Sequence, residues 1–404
     1  MTKKALSSMT RHLGRLAQTS VGLLVWTALR CVRVIYPLYV QQLRAERIGH
    51  LAIEAEIFRT AVPSDVVNRT IFVMDGLAAN EFLELAWRRV LPVLPRWIGT
   101  PYLSAVKTFP SLELNPPGWD ASHFDLRSLD NSPVPNFFTA EEEEKGRKLL
   151  RELGVGVGRP YICLSVRDSA YLSRHFPERN WAYHNYRDSR VETYLNMAKA
   201  LTDAGFAVIR MGSQVLEPLN SDDAYVIDYA NSEVRSPFGD VFLYANCHGA
   251  ISTSTGVDSL AMLFRKPLGL VNLASLYGLQ LGSHLKLVMF KEVVSEDGGN
   301  RIPVDDARFK NCLSLTSGET IVAAGFALLD NSSQELEAFG RDFVDLLRHP
   351  DAGCRQRKPA QMQAVVGLLG EVGRAASFEF PDWWLAKRMK DTATDPQAPG
   401  LQNS

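Results

Sequence analysis

Residues 252–258 read Ser-Thr-Ser-Thr-Gly-Val-Asp, set between the apolar run GAI and the segment SLAMLFR. Hydroxyls, a glycine and an acid where a buried strand gives way to a helix suit an anion. The first turn of a helix presents unpaired backbone N–H groups and the positive end of its dipole, and small side chains let a phosphate reach the backbone. Ser252, Thr253, Ser254, Thr255 and Gly256 make such a turn, and Asp258 is placed to accept hydrogen bonds from ribose or sugar hydroxyls. The same residues also fit a plainer role, with Ser254 or Thr255 capping the helix and Asp258 complementing its dipole. Five hydroxyl residues within 252–259 exceed what one cap needs.

Other polar residues fall where apolar strands end, which is where open parallel sheets bind ligands. Arg167 and Asp168 follow PYICLSV, and Arg210, Gly212 and Ser213 close FAVIRMGS. In HNYRDSRVETY (184–194), Arg187, Asp188, Ser189 and Arg190 stand just before a helix. The arginine fork matches phosphate oxygens, although Asp188 or Ser189 would also serve as an ordinary cap on a charged surface. The preceding aromatic and arginine-rich loop, from Ser169 to about Ser189, is long for an idle connection and reads as substrate-facing. In RIGHLAIEAE (47–56), Gly49 offers freedom for a tight turn, and His50 and Glu54 lie one turn apart if the segment is helical. A histidine or carboxylate there could deprotonate an acceptor hydroxyl, while lone histidines are often structural. Asp168 completes the candidate catalytic set of His50, Glu54 and Asp168.

Strands alternating with helices must position these residues. TIFVMDG (70–76), PYICLSVRD, FAVIRMG (206–212), AYVIDYA (224–230), GAISTST and PLGLVN (267–272) read as strands. NEFLELAWRRVL (80–91), VETYLNMAKALTDAG, PFGDVFLYANC (237–247), GVDSLAMLFR and much of 315–349 read as helices. Thr139 and Glu142 form a capping box that starts another helix, so the EEEE run complements a dipole and needs no metal. GVGVGRP (154–160) follows a helix and precedes a strand, the reverse of a dinucleotide loop, and reads as a turn. The proline-rich stretch 92–136 reads as irregular. The pattern implies a parallel sheet covered on both faces.

Bulk composition narrows the function class. The 404 residues are 46% hydrophobic and 22% charged, with a net charge of −1 that gives no reason to expect nucleic acid. Five dispersed cysteines (31, 163, 247, 312 and 354) without a CxxC pair read as reduced thiols of a cytoplasmic protein. No acid precedes Glu46, whereas Lys3, Lys4, Arg11, Arg15, Arg30, Arg33 and Arg44 do. The apolar segment 21–40 contains Arg30 and Arg33 and breaks near Pro37, so it fits a basic amphipathic helix on an anionic inner membrane face better than a span. A terminal helix packed on the domain is the other reading. FPDWWLAKRMK forms an aromatic-basic patch ahead of a Pro/Gln/Gly/Ser tail that reads as disordered. Walker A, HExxH, DxD and GxSxG motifs are all absent.

RIGHLAIEAEIF, NYRDSRVETY and ISTSTGVDSLAMLFRKPLGLVN together resemble a family of largely uncharacterised bacterial glycosyltransferases associated with surface-polysaccharide synthesis. The resemblance covers roughly residues 44–310. More remotely, SVRD after a strand and STSTGVDSLA before a helix are similar to the donor site of two-domain GT-B transferases, including heptosyltransferases and fucosyltransferases. It implies an α/β, GT-B-like fold of two Rossmann-like domains facing across a cleft, with a basic amphipathic N-terminal helix. It implies a metal-independent enzyme without a cofactor, moving a sugar from a nucleotide-sugar to a glycan or lipid-linked acceptor at the inner membrane surface. In that frame Ser254, Thr255 and Gly256 match the phosphate turn and Asp258 the adjacent acid. Arg167 matches a residue stabilising the leaving diphosphate, and His50 a base on the first N-terminal loop. The expected division is a basic segment 1–44, an acceptor-side domain 45–155, a nucleotide-sugar domain 156–310, a helical region 311–390 and a tail 391–404. Transfer of another group, such as pyruvyl, on the same fold, or a non-catalytic membrane-associated binding protein, are the competing functions.

Overall fold

The computed structural model describes residues 3–119, 126–130, 132–170, 174, 178, 180–279, 286–296, 300–350, 363–364, 367–368, 370 and 378–389, with backbone alone for 3–13 and 182. The expectations for Cys354 and the tail 391–404, and for parts of the loop after Ser169, lie outside the described residues. In chain order the first elements are α1 (Lys3–Ile35), β1 (Tyr39–Arg44), α2 (Ile48–Ala61), β2 (Thr70–Asp75), α3 (Glu81–Val90), α4 (Arg96–Thr108) and α5 (Ala140–Glu152). Next come β3 (Tyr161–Ser165), α6 (Leu195–Asp203), β4 (Ala207–Arg210), β5 (Val226–Ile227), α7 (Pro237–Asn246), β6 (Gly249–Ser252) and α8 (Asp258–Leu263). The remainder uses β7 (Leu268–Leu273), β8 (Lys286–Phe290), β9 (Glu292–Ser295), β10 (Phe326–Leu329), α9 (Ser333–Arg348), β11 (Phe378–Glu379) and α10 (Asp382–Arg388), with short helices between.

These elements make a mixed α/β fold in two units, each assembled from separated pieces of chain. The N-terminal unit holds residues 1–157, 233–247 and 255–266, and the C-terminal unit holds 158–232, 248–254 and 267–404. Chain therefore passes between units inside the hydroxyl-rich turn itself, between Ser254 and Thr255.

The C-terminal unit carries a seven-stranded sheet in the order β11-β8-β7-β6-β3-β4-β5, parallel at every pairing. Every residue of β3, β4, β6, β7 and β8 is buried, as a parallel sheet covered on both faces demands. Gly205, at φ +99°, ends the helix that leads into β4. The expected strand at 224–230 shrinks to Val226–Ile227, and β10 interrupts the helical region expected over 315–349.

In the N-terminal unit β1 and β2 pair in parallel, joined through α2. Val40, Val73, Tyr102 and Leu114 form a core there, with Trp26 and Leu29 of α1 packed on it. A second core is aromatic: Trp87, Phe137, Phe138, Phe82, Phe238, Phe242 and Phe264 meet edge-on or stacked, at centroid separations of 4.8 to 6.3 Å. Thr139 and Glu142 close the capping box at the start of α5 as expected. The region expected to be irregular contains α4, a 13-residue helix with Pro101 in its interior. That proline removes a backbone donor and masks the helical pattern, yet Tyr102 and Ala105 still bury against the core.

Candidate functional site

The C-terminal unit draws SVRD, YRDS and residues 252–254 of the hydroxyl turn together at the carboxyl ends of β3 and β6. Arg167 donates its backbone N–H to Thr253 Oγ1 at 2.8 Å, and Thr253 donates its own N–H to the Ser165 carbonyl. Arg187 donates from Nη2 to the Ser254 carbonyl at 2.6 Å. Ser254 sits at φ +62°, a left-handed conformation that non-glycine residues rarely adopt and that clusters at binding sites. Ser189 donates its N–H to the Arg167 carbonyl, which ties YRDS to SVRD.

The charges here are crowded. Arg167 Nε lies 3.2 Å from Asp188 Oδ1, and both side chains are largely buried. Burial, then the neighbouring charge of Arg187, holds the Arg167 guanidinium below the usual arginine range. Burial pushes the Asp188 carboxyl up, against the pull of Arg167 and Lys291. Lys291, immediately after β8 and 4% exposed, donates to the Asp188 carbonyl at 2.8 Å and pairs with Asp330 at 2.7 Å. Sequence reading missed this lysine because β8 was not recognised; KLVMF followed by a lysine is the same strand-end signal that marked Arg167. Asn272, at the end of β7 and φ +49°, was also missed. It donates to Tyr194 Oη at 2.8 Å and accepts from Asn331, supporting the floor of the cluster.

Beside the cluster, a cavity of about 240 Å³ opens past β3 and β4, lined among others by Asp168, Asp188, Ser189, Arg190 and Arg210. Asp168 accepts the Ala170 N–H on Oδ1 and the Leu216 N–H on Oδ2, both at 2.9 Å, so its carboxylate pins two loops. Arg210 is 1% exposed and donates to the Glu217 carbonyl at 2.8 Å and to Asp228 at 3.2 Å. Gly212 and exposed Ser213 continue from it, with Gly212 close to Val215 and Ala230. Ser252 is fully buried, and its Oγ has no hydrogen-bond partner among the described residues.

The rest of the hydroxyl turn belongs to the N-terminal unit. Thr255 donates its N–H and its Oγ1 to the Asp258 carboxylate at 2.9 and 3.1 Å. Two of the five hydroxyls noted in the sequence are thus spent inside the protein, Thr253 on Arg167 and Thr255 on Asp258. Gly256 is exposed and lies against α2. A Cβ on Gly49 would sit 3.1 Å from the Gly256 carbonyl oxygen and 3.4 Å from Ser259 Oγ. Gly49 therefore does not make the tight turn its type suggested. It lies inside the first turn of α2, and its missing side chain lets the helix seat on the Gly256 turn.

The next residue is His50. Its Nδ1 lies 3.0 Å from Glu54 Oε1, one helical turn on, as the helical spacing anticipated. Glu54 is buried and also pairs with Arg44 at the end of β1. That strand end is fixed by Asp75, which accepts the Ala45 N–H at 2.6 Å and the Gln42 amide at 3.0 Å. One carboxylate thus faces both an arginine and an imidazole, and Nδ1 is the nitrogen turned toward it.

Neither a protein-family model nor a curated protein matches this chain. Among solved structures, the chain is similar to the ADP-heptose LPS heptosyltransferase II of E. coli, at 12% identity with a TM-score of 0.35, over 78% of this chain and 100% of that one.

Proposed function

We propose that the protein transfers a sugar from a nucleotide-sugar to a glycan or lipid-linked acceptor. The observation that carries this is Arg167, just past the end of β3, close enough to Arg187 that the charge of Arg187 disfavours its own, beside a hydroxyl-bearing turn in strained backbone that Arg187 also holds. Two crowded, partly desolvated guanidiniums are stabilised by an anion, and a diphosphate supplies the charge and the oxygens for both. The cavity lined by Asp168, Asp188 and Ser189 suits the hydroxyls of a ribose.

In the transfer step the acceptor oxygen bonds to the anomeric carbon, and the bond from that carbon to the diphosphate breaks with its electron pair. Arg167 and Arg187 stabilise the charge that develops on the leaving diphosphate, an electrostatic contribution that needs no reorganisation during reaction. His50 takes the acceptor proton on Nε2, with Nδ1 oriented by Glu54. The enzyme works at the inner membrane face, where the basic N-terminus meets anionic lipid. Incubation of the purified protein with a panel of nucleotide-sugars tests the reading. Binding and release of a nucleoside diphosphate with at least one donor is expected, and neither with any donor refutes it. Release of inorganic phosphate from phosphoenolpyruvate instead would assign the cluster to pyruvyl transfer.

A further inference from the structure

No helix among the described residues is long and apolar enough to cross a membrane. The 33-residue α1 nevertheless carries large apolar side chains on its exposed side as well as on its docked one. Its docked stripe runs through Thr19, Gly22, Trp26, Leu29 and Arg33. Thr19 Oγ1 lies 3.2 Å from Ser104 Oγ, and a Cβ on Gly22 would fall 2.0 Å from the Pro101 carbonyl oxygen of α4. Trp26 and Leu29 pack on the Val40 core, and the Arg33 guanidinium covers the Tyr39 ring at 5.3 Å.

At 3.6 residues per turn the opposite stripe passes through Leu16, Ser20, Leu24, Thr27, Cys31, Val34 and Ile35, and it carries no charge. Leu16 is 62% exposed, Leu24 71%, Val34 83% and Ile35 90%. Trp97, at the start of α4, is 76% exposed as well. An uncharged face with this many exposed large apolar side chains marks a surface that something covers. The charge pattern says what: seven Lys and Arg precede the first acid, Glu46, and Arg15, Arg30 and Arg33 lie off the apolar stripe.

We infer that the outward face of α1, with Trp97, lies in the headgroup boundary of an anionic lipid leaflet. The apolar side chains enter the acyl region, and Arg30 meets lipid phosphates from the flank. This deepens the membrane part of the function proposed above and does not depend on the transfer chemistry. It also favours an acceptor held by lipid. β1 leaves the end of α1 and reaches Arg44 within six residues, roughly 20 Å of strand, and Arg44 pairs with the carboxylate facing His50.

Sedimentation of the full chain with vesicles of phosphatidylcholine, with or without phosphatidylglycerol, tests the inference. The chain should pellet with the anionic vesicles, less at high salt, and only weakly with the neutral ones. The double variant Leu24→Asp, Ile35→Asp, altered only at exposed positions, should lose roughly tenfold or more of that binding. Vesicle binding unaffected by the variant, or no binding by the unaltered chain, overturns the inference. A dimer that the variant dissociates would give the face to a second copy and overturn it equally. Nucleoside-diphosphate binding, measured on both proteins, should be the same; its absence from both would sink the transfer reading and leave the lipid surface standing.

Discussion

The two charged clusters are built by opposite means. In the N-terminal unit, His50 and Glu54 come from one turn of one helix, with Arg44 added from the adjoining strand. In the C-terminal unit, Arg167, Arg187, Asp188 and Lys291 come from three segments and are held by two backbone carbonyls and two ion pairs. A carboxylate that turns a ring nitrogen suits the handling of a proton. Dispersed cations braced by carbonyls keep most of their donors for an incoming anion. Under the function proposed above, the first cluster would handle the proton and the second the diphosphate.

Kinetics of variants separate the two. His50→Ala has the largest expected effect, a loss of about 10²- to 10⁴-fold in kcat with donor affinity retained. A parallel loss of nucleotide affinity in a titration would dissolve the distinction. Arg187→Ala should act the other way, weakening nucleoside-diphosphate binding about tenfold to a hundredfold by calorimetry, since it removes a charged donor and loosens Ser254. Gly49→Ala presses a methyl on the Gly256 carbonyl and should cost about 1–3 kcal/mol in denaturant unfolding. If stability is unchanged, the close packing of α2 on that turn is not a constraint.

The smallest effect concerns Asp188, which competes with a bound phosphate for Arg167. Asp188→Asn should tighten nucleoside-diphosphate binding about twofold to fivefold. Because burial raises the Asp188 pKa, its stabilising contribution is full below the ordinary aspartate range and is lost as pH rises through the raised value. Relative to Asp188→Asn, the unaltered protein should therefore lose stability as pH climbs out of the acid range. An identical pH profile for the two proteins would show that Asp188 does not carry this burden.

Legibility in the sequence followed the range of each interaction. Residues 161–165, 207–210, 249–252 and 268–273 are short apolar runs flanked by turn residues, and they declared the sheet. The strand-end rule found Arg167 and the STST turn, and helical spacing found His50 with Glu54. Pro101 hid α4, and the lysine that opens KLVMF hid β8 and with it Lys291. Nothing local could show that Arg187 reaches the Ser254 carbonyl across 67 positions, or that Asp168 spends both oxygens on backbone amides. Gly49 was noticed for its flexibility, yet its use is close approach to a second glycine that only the folded chain supplies.

The chain crosses between its units five times, after residues 157, 232, 247, 254 and 266. Neither unit is therefore a single contiguous stretch of chain. As the protein leaves the ribosome, its first 157 residues emerge without α7 and α8, and so without Phe238, Phe242 and Phe264 of the aromatic core. Phe82 and Phe138 must wait for about a hundred further residues of synthesis before that core can close. In the interval they are the exposed apolar surface a chaperone would meet, and a nascent chain stalled before Phe264 would be a poor candidate for independent folding.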